Sequence, residues 1–415
     1  MISIAIIIAS IIFTVSRETS FDGSIGRVVT IIGIVADEPV YKNDGYRIKL
    51  EVGSDEVYIM ADNIAGISRS DRLTLRGKLQ AGFGNYSAFM YCPEIIDVSH
   101  PSTPDLALRV RELVSNNVQT RLASDDNSGL ALSYLFGQKT LLGEEQLASL
   151  RIAGLAHIVV ASGYHLSVAV NFAKKRFRKT SRLVLMLTAI LLVLIYVSIT
   201  GFSSSMTRAA IVTVASLLTW YFGRKLHPVR LILYSAAFSL VLNPSYVTNL
   251  AWQLSFASYS GILLFSPLLA KFFYGERRPS YISSIIIASI SAQLFCLPIS
   301  ILNFGTIPTL ALVSNILISP LVSPTMLLGL IVGILDISAL AGLLKVITDI
   351  QLYIVNTIAS IPWSSHELSL NWLGIAIAYA VIILATIILK RVAKYSYKPC
   401  YALEKIPDYD KIYAC

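Results

Sequence analysis

The sequence is poor in charge, and acidic residues are especially scarce in its second half. Only 14% of the 415 residues are charged, whereas soluble domains carry about 25%. Residues 154–390 hold 15 lysines and arginines against four acids, which are Glu276, Asp336, Asp349 and Glu367. Hydrophobic residues make up 55% of the chain and the mean hydropathy is +0.66. This composition excludes an ordinary soluble enzyme and a disordered protein, and it indicates a polytopic membrane protein.

Cysteine is also rare, and the motifs of metal and nucleotide sites are missing. The four cysteines are Cys92, Cys296, Cys400 and Cys415, and they form no CxxC or Cys/His cluster. The sequence therefore predicts neither a zinc site nor a disulfide framework. It contains no G-x-x-x-x-G-K-[ST], which excludes a P-loop motor. We expect no cofactor and no metal.

The N-terminal quarter combines a short apolar segment with a pattern of short strands. Residues 2–15 are apolar, lack the basic start of a signal peptide, and predict an uncleaved anchor within 1–20. Residues 25–100 contain five short runs rich in β-branched and aromatic residues, separated by turn residues. This pattern predicts a small all-β barrel, and an OB-like fold is the natural candidate. Residues 101–152 predict a linker with an amphipathic helix at 105–122 and interfacial character at 129–152.

Nine further apolar segments of near-spanning length follow. They cover residues 154–172, 183–200, 206–222, 229–243, 249–270, 281–302, 309–334, 338–361 and 372–389. Together with 2–15 they predict a polytopic α-helical membrane protein with about ten spans, its channel domain at 153–390 and its tail at 391–415. Segment 338–361 contains Lys345 and Asp349 and is alternatively an interfacial helix. Pro320 and Pro324 allow a broken or re-entrant helix in the preceding segment.

Basic loops alternate with uncharged ones, and this alternation predicts the orientation. Lysine and arginine cluster at 174–182, 223–230, 271–278 and 390–394, whereas 201–205, 243–249 and 303–308 contain none. Cytoplasmic loops collect these residues. We therefore expect the C-terminal tail in the cytoplasm and the barrel outside a cytoplasmic (inner) membrane. Arg17, which follows the first segment, favours the opposite orientation locally.

The stretch GLAHIVVASGYHLSVAV at 154–170 places polar groups within an apolar segment. The candidates are His157, Ser162, Gly163 and His165. Ionisable residues inside a span are costly and mark functional sites by default. The alternative is packing, with the hydroxyl and imidazoles bonded across a helix interface. A metal site fits poorly because no acid is near, and a serine hydrolase fits poorly because both histidines share the segment of Ser162.

This stretch resembles the G-L-x-H-(x)4-S-G-x-H motif of the ComEC family, the inner-membrane DNA channels of bacterial competence. Three later segments are similar to that family's motifs in the same order: GFSSSMTRAAIV at 201–212, AWQLSFASYSGILL at 251–264, and LPISILNFGTIPTLALVSNILISPL at 297–321. Trp252 stands where the family usually has Phe. The barrel at 25–100 matches the family's OB-like module in position and size.

The resemblance implies a channel that conducts single-stranded DNA into the cytoplasm during natural transformation. It also implies an outer DNA receptor, a nuclease in trans and a cytoplasmic helicase-like motor as partners, and it leaves a homo-oligomer open. The family's larger members carry a C-terminal metallo-β-lactamase-like nuclease. The five histidines here form no H-x-H-x-D-H, so we expect no nuclease in this sequence, and we expect a transport protein in the lipid bilayer rather than an enzyme.

A DNA path should offer polar or basic groups and avoid carboxylates. The candidate path residues are His157, Ser162, Gly163, His165, Ser203, Ser205, Arg208, Gln253, Ser255, Asn303 and Asn315. Arg208 is the candidate phosphate ligand, and its alternative is an arginine whose charge extends to the membrane surface. In the barrel, the candidate DNA contacts are Arg69, Arg72, Arg76, Lys78, Phe83, Tyr86 and Phe89, although residues 26–97 hold eight basic and ten acidic residues.

Three other functions stay open at this point. The same scaffold would suit a permease for another anionic solute, because a cationic path serves any anion. An intramembrane hydrolase would use Ser162 and a histidine, and a structural scaffold would tolerate loss of His157, His165 and Arg208.

Overall fold

The computed structural model places most of the chain. It describes residues 21–36, 39–42, 45–53, 55–62, 70–82, 86–100, 106–137, 142–155, 180–201, 203–224, 227–277, 279–368 and 371–395, and positions 7, 67, 166 and 170. The chain divides into two compact units. The smaller unit comprises residues 8–113 and 243–249, and the larger unit comprises the remaining residues.

Seven strands form the sheet of the smaller unit. They are β1 (Val28–Val35), β2 (Val40–Lys42), β3 (Gly45–Val52), β4 (Asp55–Ala61), β5 (Arg72–Ala81), β6 (Ala88–Tyr91) and β7 (Glu94–Ser99). Five of them follow one another in the order β1-β3-β4-β6-β5, and β5 pairs again with β1. β4 and β6 are parallel, and the other pairs in this ring are antiparallel. The predicted five-stranded barrel is therefore confirmed.

Alternation of side chains gives the barrel its core. Along β4, buried and half-buried residues alternate without interruption, as expected for a strand with one face inward. The inward residues of neighbouring strands meet, and Leu50, Val57 and Ile59 are fully buried with Leu73, Leu75, Leu79 and Met90. The outward residues of the same strands are therefore available for contacts.

Helices build the larger unit. They are α1 (Leu106–Leu122), α2 (Asp125–Phe136), α3 (Glu144–Ile152), α4 (Arg182–Thr200), α5 (Ser204–Tyr221), α6 (Pro228–Leu242), α7 (Leu250–Ser260), α8 (Ser266–Tyr274), α9 (Tyr281–Phe304), α10 (Ala311–Leu335), α11 (Ser338–Ala359) and α12 (Trp372–Val392). The boundary between the two units falls within α1. A two-stranded pair, β8 (Thr306–Pro308) and β9 (Ser365–Glu367), joins the loops after α9 and α11.

Six helical rods in the described part are long and apolar enough to cross a membrane. They are α4, the rod Leu250–Tyr274, α9, α10, α11 and α12. The prediction of a multi-pass membrane protein is supported, but about ten spans are not confirmed. α5 has 18 residues, but its three serines, three threonines and Arg208 reduce its apolar character, and α6 is only 15 residues long. The predicted segment 2–15 and most of 154–172 lie outside the described residues.

The structure describes the two segments for which the sequence left alternatives open. α10 is a single helix of 25 residues with Pro320 and Pro324 inside it. Neighbouring side chains and helices satisfy the backbone groups that a proline frees. α11 has the length and composition of a span, and its buried stripe from Ala341 to Ile358 packs against α10.

The predicted linker contains a buried helix. α2 is buried from Asn127 to Phe136, and it contributes most of its apolar residues to the core it shares with α10 and α11. The structure therefore places α2 in the helix core, and the interfacial character of 129–152 stays a prediction. The predicted amphipathic helix is present as α1. Its Asn117 donates to the carbonyl of Gly333 over 2.8 Å, and Arg121 donates to both carboxylate oxygens of Asp336 over 2.6 and 2.7 Å.

The rod Leu250–Tyr274 contains a π-helical turn at Gly261–Phe265 between α7 and α8. A Cβ on Gly261 would lie 2.2 Å from the carbonyl oxygen of Ser291 in α9. Only glycine therefore permits this approach of the two backbones. Turns of this kind occur frequently at functional sites.

Candidate functional site

The start of α5 positions the best-defined polar site among the membrane helices. Gly201 has a positive φ of 91°, and Ser203 caps the helix by accepting a hydrogen bond from the Met206 amide over 3.3 Å. Serine is a preferred N-cap residue. Arg208 follows in the second turn, so the sequence GFSSSMTR fixes the arginine close to the beginning of the helix.

Arg208 is buried, with 8% of its surface exposed. Its Nε donates to Ser255 Oγ of α7 over 2.6 Å. Its guanidinium carbon lies 5.0 Å from the ring centre of Tyr259 and 5.8 Å from that of Phe256. Both distances are within the range of cation–π contacts. The guanidinium is thus held between two helices, and the alternative of a charge extended to the membrane surface does not describe it.

Arg208 has no acidic partner in the described part of the chain, where the ion pairs all involve other residues. A buried charge is costly unless it is paired. Ser204 and Ser205 are buried four and three positions before Arg208 on the same face of α5, and the buried hydroxyl of Thr207, the preceding residue, has no hydrogen-bond partner among described atoms. A cation bonded to neutral groups, with hydroxyls next to it, has the chemistry of a site for an anion.

The structure brings together only some of the predicted path residues. Arg208 and Ser255 are in direct contact, and Ser205 lies three positions before Arg208 on the same face of α5. Gln253 is on α7 but two positions from Ser255, so it points to another side of that helix. Ser203 is exposed and acts as the cap.

Two predicted asparagines lie elsewhere. Asn303 is exposed near the end of α9 and donates to the carbonyl of Ile299 in its own helix over 2.8 Å. Asn315 of α10 is buried, and its Oδ1 lacks a partner among described atoms. In the described part, no hydrogen bond joins either asparagine to Arg208. His157, Ser162, Gly163 and His165 lie outside the described residues.

The beginning of the first motif contacts the last one. Gly154 has φ +73°, and a Cβ at this position would lie 2.3 Å from Cβ of Ala311, at the start of α10. A side chain there would be strained by the backbone and blocked by Ala311. Gly154, the first residue of one motif, and Ala311, within another, are therefore neighbours in space, which their separation in the sequence did not indicate.

Sequence reasoning missed the aromatic partners of Arg208. Phe256 and Tyr259 follow Ser255 by one and four positions. Tyr259 is therefore a neighbour of both Ser255 and Phe256 on the surface of the helix. Trp252 precedes them. Its ring packs against that of Phe256 in a tilted arrangement with ring centres 4.5 Å apart, and its indole nitrogen donates to Ser239 Oγ of α6 over 3.0 Å. A phenylalanine at position 252 would lack this hydrogen bond.

The barrel has a second candidate site on its outward surface, formed by β3, β4 and β6. Lys49 is paired with Tyr58, and Tyr58 is paired with Phe89 in the strand register. The ring of Tyr58 lies 5.7 Å from Phe89 and 5.0 Å from Tyr86. We call Arg47, Lys49, Tyr58, Tyr86 and Phe89 the aromatic face. It joins stacking rings to two cations, the combination found in proteins that bind single strands.

The charges of the aromatic face are partly compensated. Lys49 lies 2.9 Å from Glu56. The Nε of Arg47 is buried without a hydrogen-bond partner in the described part. Partial burial raises the pKa of Tyr58, and the nearby positive charge of Arg47 opposes part of this rise. Aromatic stacking, rather than net charge, is therefore the main property of this face.

The predicted basic contacts on β5 lie elsewhere on the barrel. Arg72, Arg76 and Lys78 are exposed and point outward beside β1. Tyr86 and Phe89 belong instead to the aromatic face, where Tyr58 joins them. Arg69 and Phe83 lie outside the described residues.

Comparisons with known proteins agree with the order of the motifs. The family model described as Competence protein matches residues 134–392, from within α2 to the end of α12. ComE operon protein 3 of Bacillus subtilis (strain 168) is 26% identical over 228 residues, which are 53% of this chain and 28% of that protein. The match thus spans less than a third of this relative's length. No solved structure matches the chain significantly.

Proposed function

This chain belongs to the competence protein family, and from that premise we propose that it serves DNA uptake as a multi-pass membrane channel that conducts single-stranded DNA into the cytoplasm. The observation that carries the proposal is Arg208, a buried guanidinium held by Ser255 and two aromatic rings. A DNA strand presents a phosphate at every nucleotide. Arginine is well suited to phosphate because its planar donors match two phosphate oxygens.

The residues around Arg208 favour the passage of a phosphate rather than its tight binding. The described residues next to it supply hydroxyls and aromatic rings. Conduction requires a ligand to bind strongly enough to come in and weakly enough to leave. One cation among neutral groups meets this requirement better than a row of cations would. We assign phosphate contact to Arg208, and a polar lining role to Ser205 and Ser255.

Our proposal also places the chain in the membrane. The channel domain at 153–390 lies in the cytoplasmic membrane, the barrel at 25–100 is outside, and the basic loops and the tail at 391–415 are cytoplasmic. Lysine and arginine in the loops support this orientation. We assign base stacking to Tyr58 and Phe89 of the aromatic face, and such stacking needs no defined sequence.

We assign DNA delivery, strand degradation and the driving force for import to partner proteins, because this sequence contains no motif for any of the three. An outer receptor delivers DNA, a nuclease in trans provides the single strand, and a cytoplasmic helicase-like motor provides the driving force. The last of these follows from the missing P-loop motif.

The test is DNA import in a host from which this gene has been deleted. Labelled DNA that reaches the cytoplasm is scored with an empty vector, with the wild-type chain, and with Arg230→Gln as a control at an exposed arginine. We expect import only with the wild-type and control chains. Import that persists after deletion would contradict the proposal. If deletion instead abolishes flux of a small organic anion, the chain is a permease for another anionic solute.

A further inference from the structure

The outward face of β1 exposes an apolar row. Val28, Ile32 and Ile34 are exposed by 64%, 48% and 50%, and Thr30 lies between them. Residues of one strand that alternate in this way share one side of the sheet. Exposed apolar rows on a sheet are uncommon in soluble proteins because they promote association, and they mark surfaces that contact a partner or a membrane.

Three cations border this row. In the register of β1 with β5, Val28 is paired with Lys78, Thr30 with Arg76, and Ile34 with Arg72. The side chains of such pairs are close neighbours on the same face. All three cations are exposed. We call Val28, Ile32, Ile34, Arg72, Arg76 and Lys78 the basic-apolar face.

Acidic residues lie at the margins of this face. Arg76 is paired on its other side with Glu94 of β7, Thr74 is paired with Asp97, and Glu51 of β3 is paired with Ile34. The acids of β7 are separated from the apolar row by the width of β5. A surface that approaches β1 therefore meets apolar side chains first and lysine and arginine next.

We propose that the basic-apolar face rests on an anionic lipid surface. Val28, Ile32 and Ile34 would enter the boundary between headgroups and acyl chains, and the three cations would lie at the lipid phosphates. Apolar residues flanked by lysine and arginine have this behaviour at membranes. The inference goes beyond the proposed function, because it requires no DNA.

The chain's connectivity supports lipid as the partner. The apolar segment 2–15 ends 13 residues before Val28. A fully extended chain of this length spans at most about 45 Å, so a segment anchored in a membrane would keep β1 within that distance of the lipid. A second copy of the chain suits the face less well. A two-fold contact would bring the cations of one copy close to those of the other, and like charges at an interface are unfavourable.

The test uses the full chain in nanodiscs, with its four cysteines replaced by serine. An environment-sensitive fluorophore is attached at Ile32→Cys, and at Tyr91→Cys as a control of similar exposure on β6. Quenching by lipids with a shallow nitroxide is compared with quenching by iodide in water. Nanodiscs contain either phosphatidylglycerol or phosphatidylcholine alone. A label at Val28→Cys repeats the measurement if Ile32→Cys disturbs the barrel.

In phosphatidylglycerol we expect lipid quenching at position 32 and iodide quenching at position 91. Replacing Arg72, Arg76 and Lys78 by Gln should lower the ratio of lipid-bound to unbound barrel by about 100-fold. Iodide quenching at position 32 in phosphatidylglycerol would overturn the inference, and so would equal lipid quenching in phosphatidylcholine, because the cations would then have no role. Protection from iodide without lipid quenching, increasing with protein concentration, would also overturn it and would indicate a second copy.

Discussion

Arg208 in the helices and the aromatic face of the barrel are both candidates for contact with DNA, and they are built in opposite ways. Arg208 is a single cation, buried, with neutral partners in the described part of the chain. The barrel has many charges, but residues 26–97 hold more acids than bases, and Lys49 is already paired with Glu56. Its distinguishing feature is a set of aromatic rings in contact, of which Tyr58 and Phe89 are stacked.

The difference follows from the surroundings. Among apolar helices, one charge acts over a long distance because little water screens it. On an exposed barrel, salt and water weaken each charge, so a surface that binds a strand needs stacking area as well. The helices should therefore select for negative charge, whereas the barrel should select for unpaired bases.

Charge reversal at Arg208 should have the largest effect. At an effective dielectric constant of about 20, two like charges about 6 Å apart repel each other by about 3 kcal/mol. A phosphate that meets a carboxylate should therefore pass roughly 100-fold more slowly than one that meets a neutral group. The measurement is the rate of labelled DNA import with Arg208→Glu, Arg208→Gln and Arg208→Lys at matched protein levels. We expect Lys to be best and Glu worst. Equal rates for Glu and Gln would show that Arg208 only packs.

Loss of the stacked rings should have the next largest effect. Stacking on an aromatic side chain contributes about 1–3 kcal/mol per base, so Tyr58→Ala or Phe89→Ala should weaken binding of a single-stranded oligonucleotide by about tenfold or more. Tyr58→Phe keeps the ring and is the matched control. The dissociation constant is measured by titrating the full chain in detergent with a fluorescent single-stranded oligonucleotide. If Tyr58→Phe is as weak as Tyr58→Ala, the hydroxyl rather than the ring binds the strand.

Part of this contrast was predictable from the sequence. Arg208 and Ser255 were identified because a cation and a hydroxyl in apolar segments are conspicuous. Phe256 and Tyr259 were not, because aromatic residues are common in membrane helices and nothing in the sequence distinguishes a cation–π partner. The barrel was predicted from its strand pattern. Its aromatic face was only half predicted, since Tyr58 joins Phe89 through a parallel pairing of distant strands that spacing along the chain does not show.

The burial of α2 could not be predicted from the periodicity of its apolar residues. α2 contains Asn127, Ser128 and Ser133, which make it look interfacial, yet Asn127 donates to Asp349 over 2.7 Å and Ser133 donates to the carbonyl of Leu130. A tertiary partner for Asn127 and a carbonyl of its own helix for Ser133 therefore allow these polar residues to be buried. Similarly, Gly154 is explained only by its contact with Ala311.

A smaller effect is expected from Trp252, which supports the helix that carries Ser255. Trp252→Phe removes the hydrogen bond to Ser239 and should lower the free energy of unfolding by about 1 kcal/mol. Thermal unfolding of Trp252→Phe, Ser239→Ala and the double variant gives the coupling between the two residues. Fully additive effects would mean that the hydrogen bond contributes nothing to stability.

The smallest effect concerns α1, in which the boundary between the two units falls. Hydrogen bonds from Arg121 lower the pKa of Asp336. A carboxyl with a lowered pKa stabilises the fold above its ordinary pKa of about 4, and this stabilisation is lost as the pH falls through the lowered value. The pair is exposed, so the contribution is small. The difference in Tm between wild type and Arg121→Gln should be constant near neutral pH and disappear in acid. A difference that persists at the lowest pH would exclude the ion pair as its cause.

The central proposal is tested most directly by photo-crosslinking DNA, during import, to a residue that contacts Arg208. A photo-crosslinking benzoylphenylalanine replaces Tyr259, whose ring contacts the guanidinium, and in a control chain it replaces Tyr353, which is highly exposed on α11. Cells that import labelled DNA are irradiated, and the chain is purified under denaturing conditions. Labelled DNA attached at position 259 and not at position 353 is the predicted result. Import that proceeds normally without a crosslink at position 259 would contradict a DNA path beside Arg208.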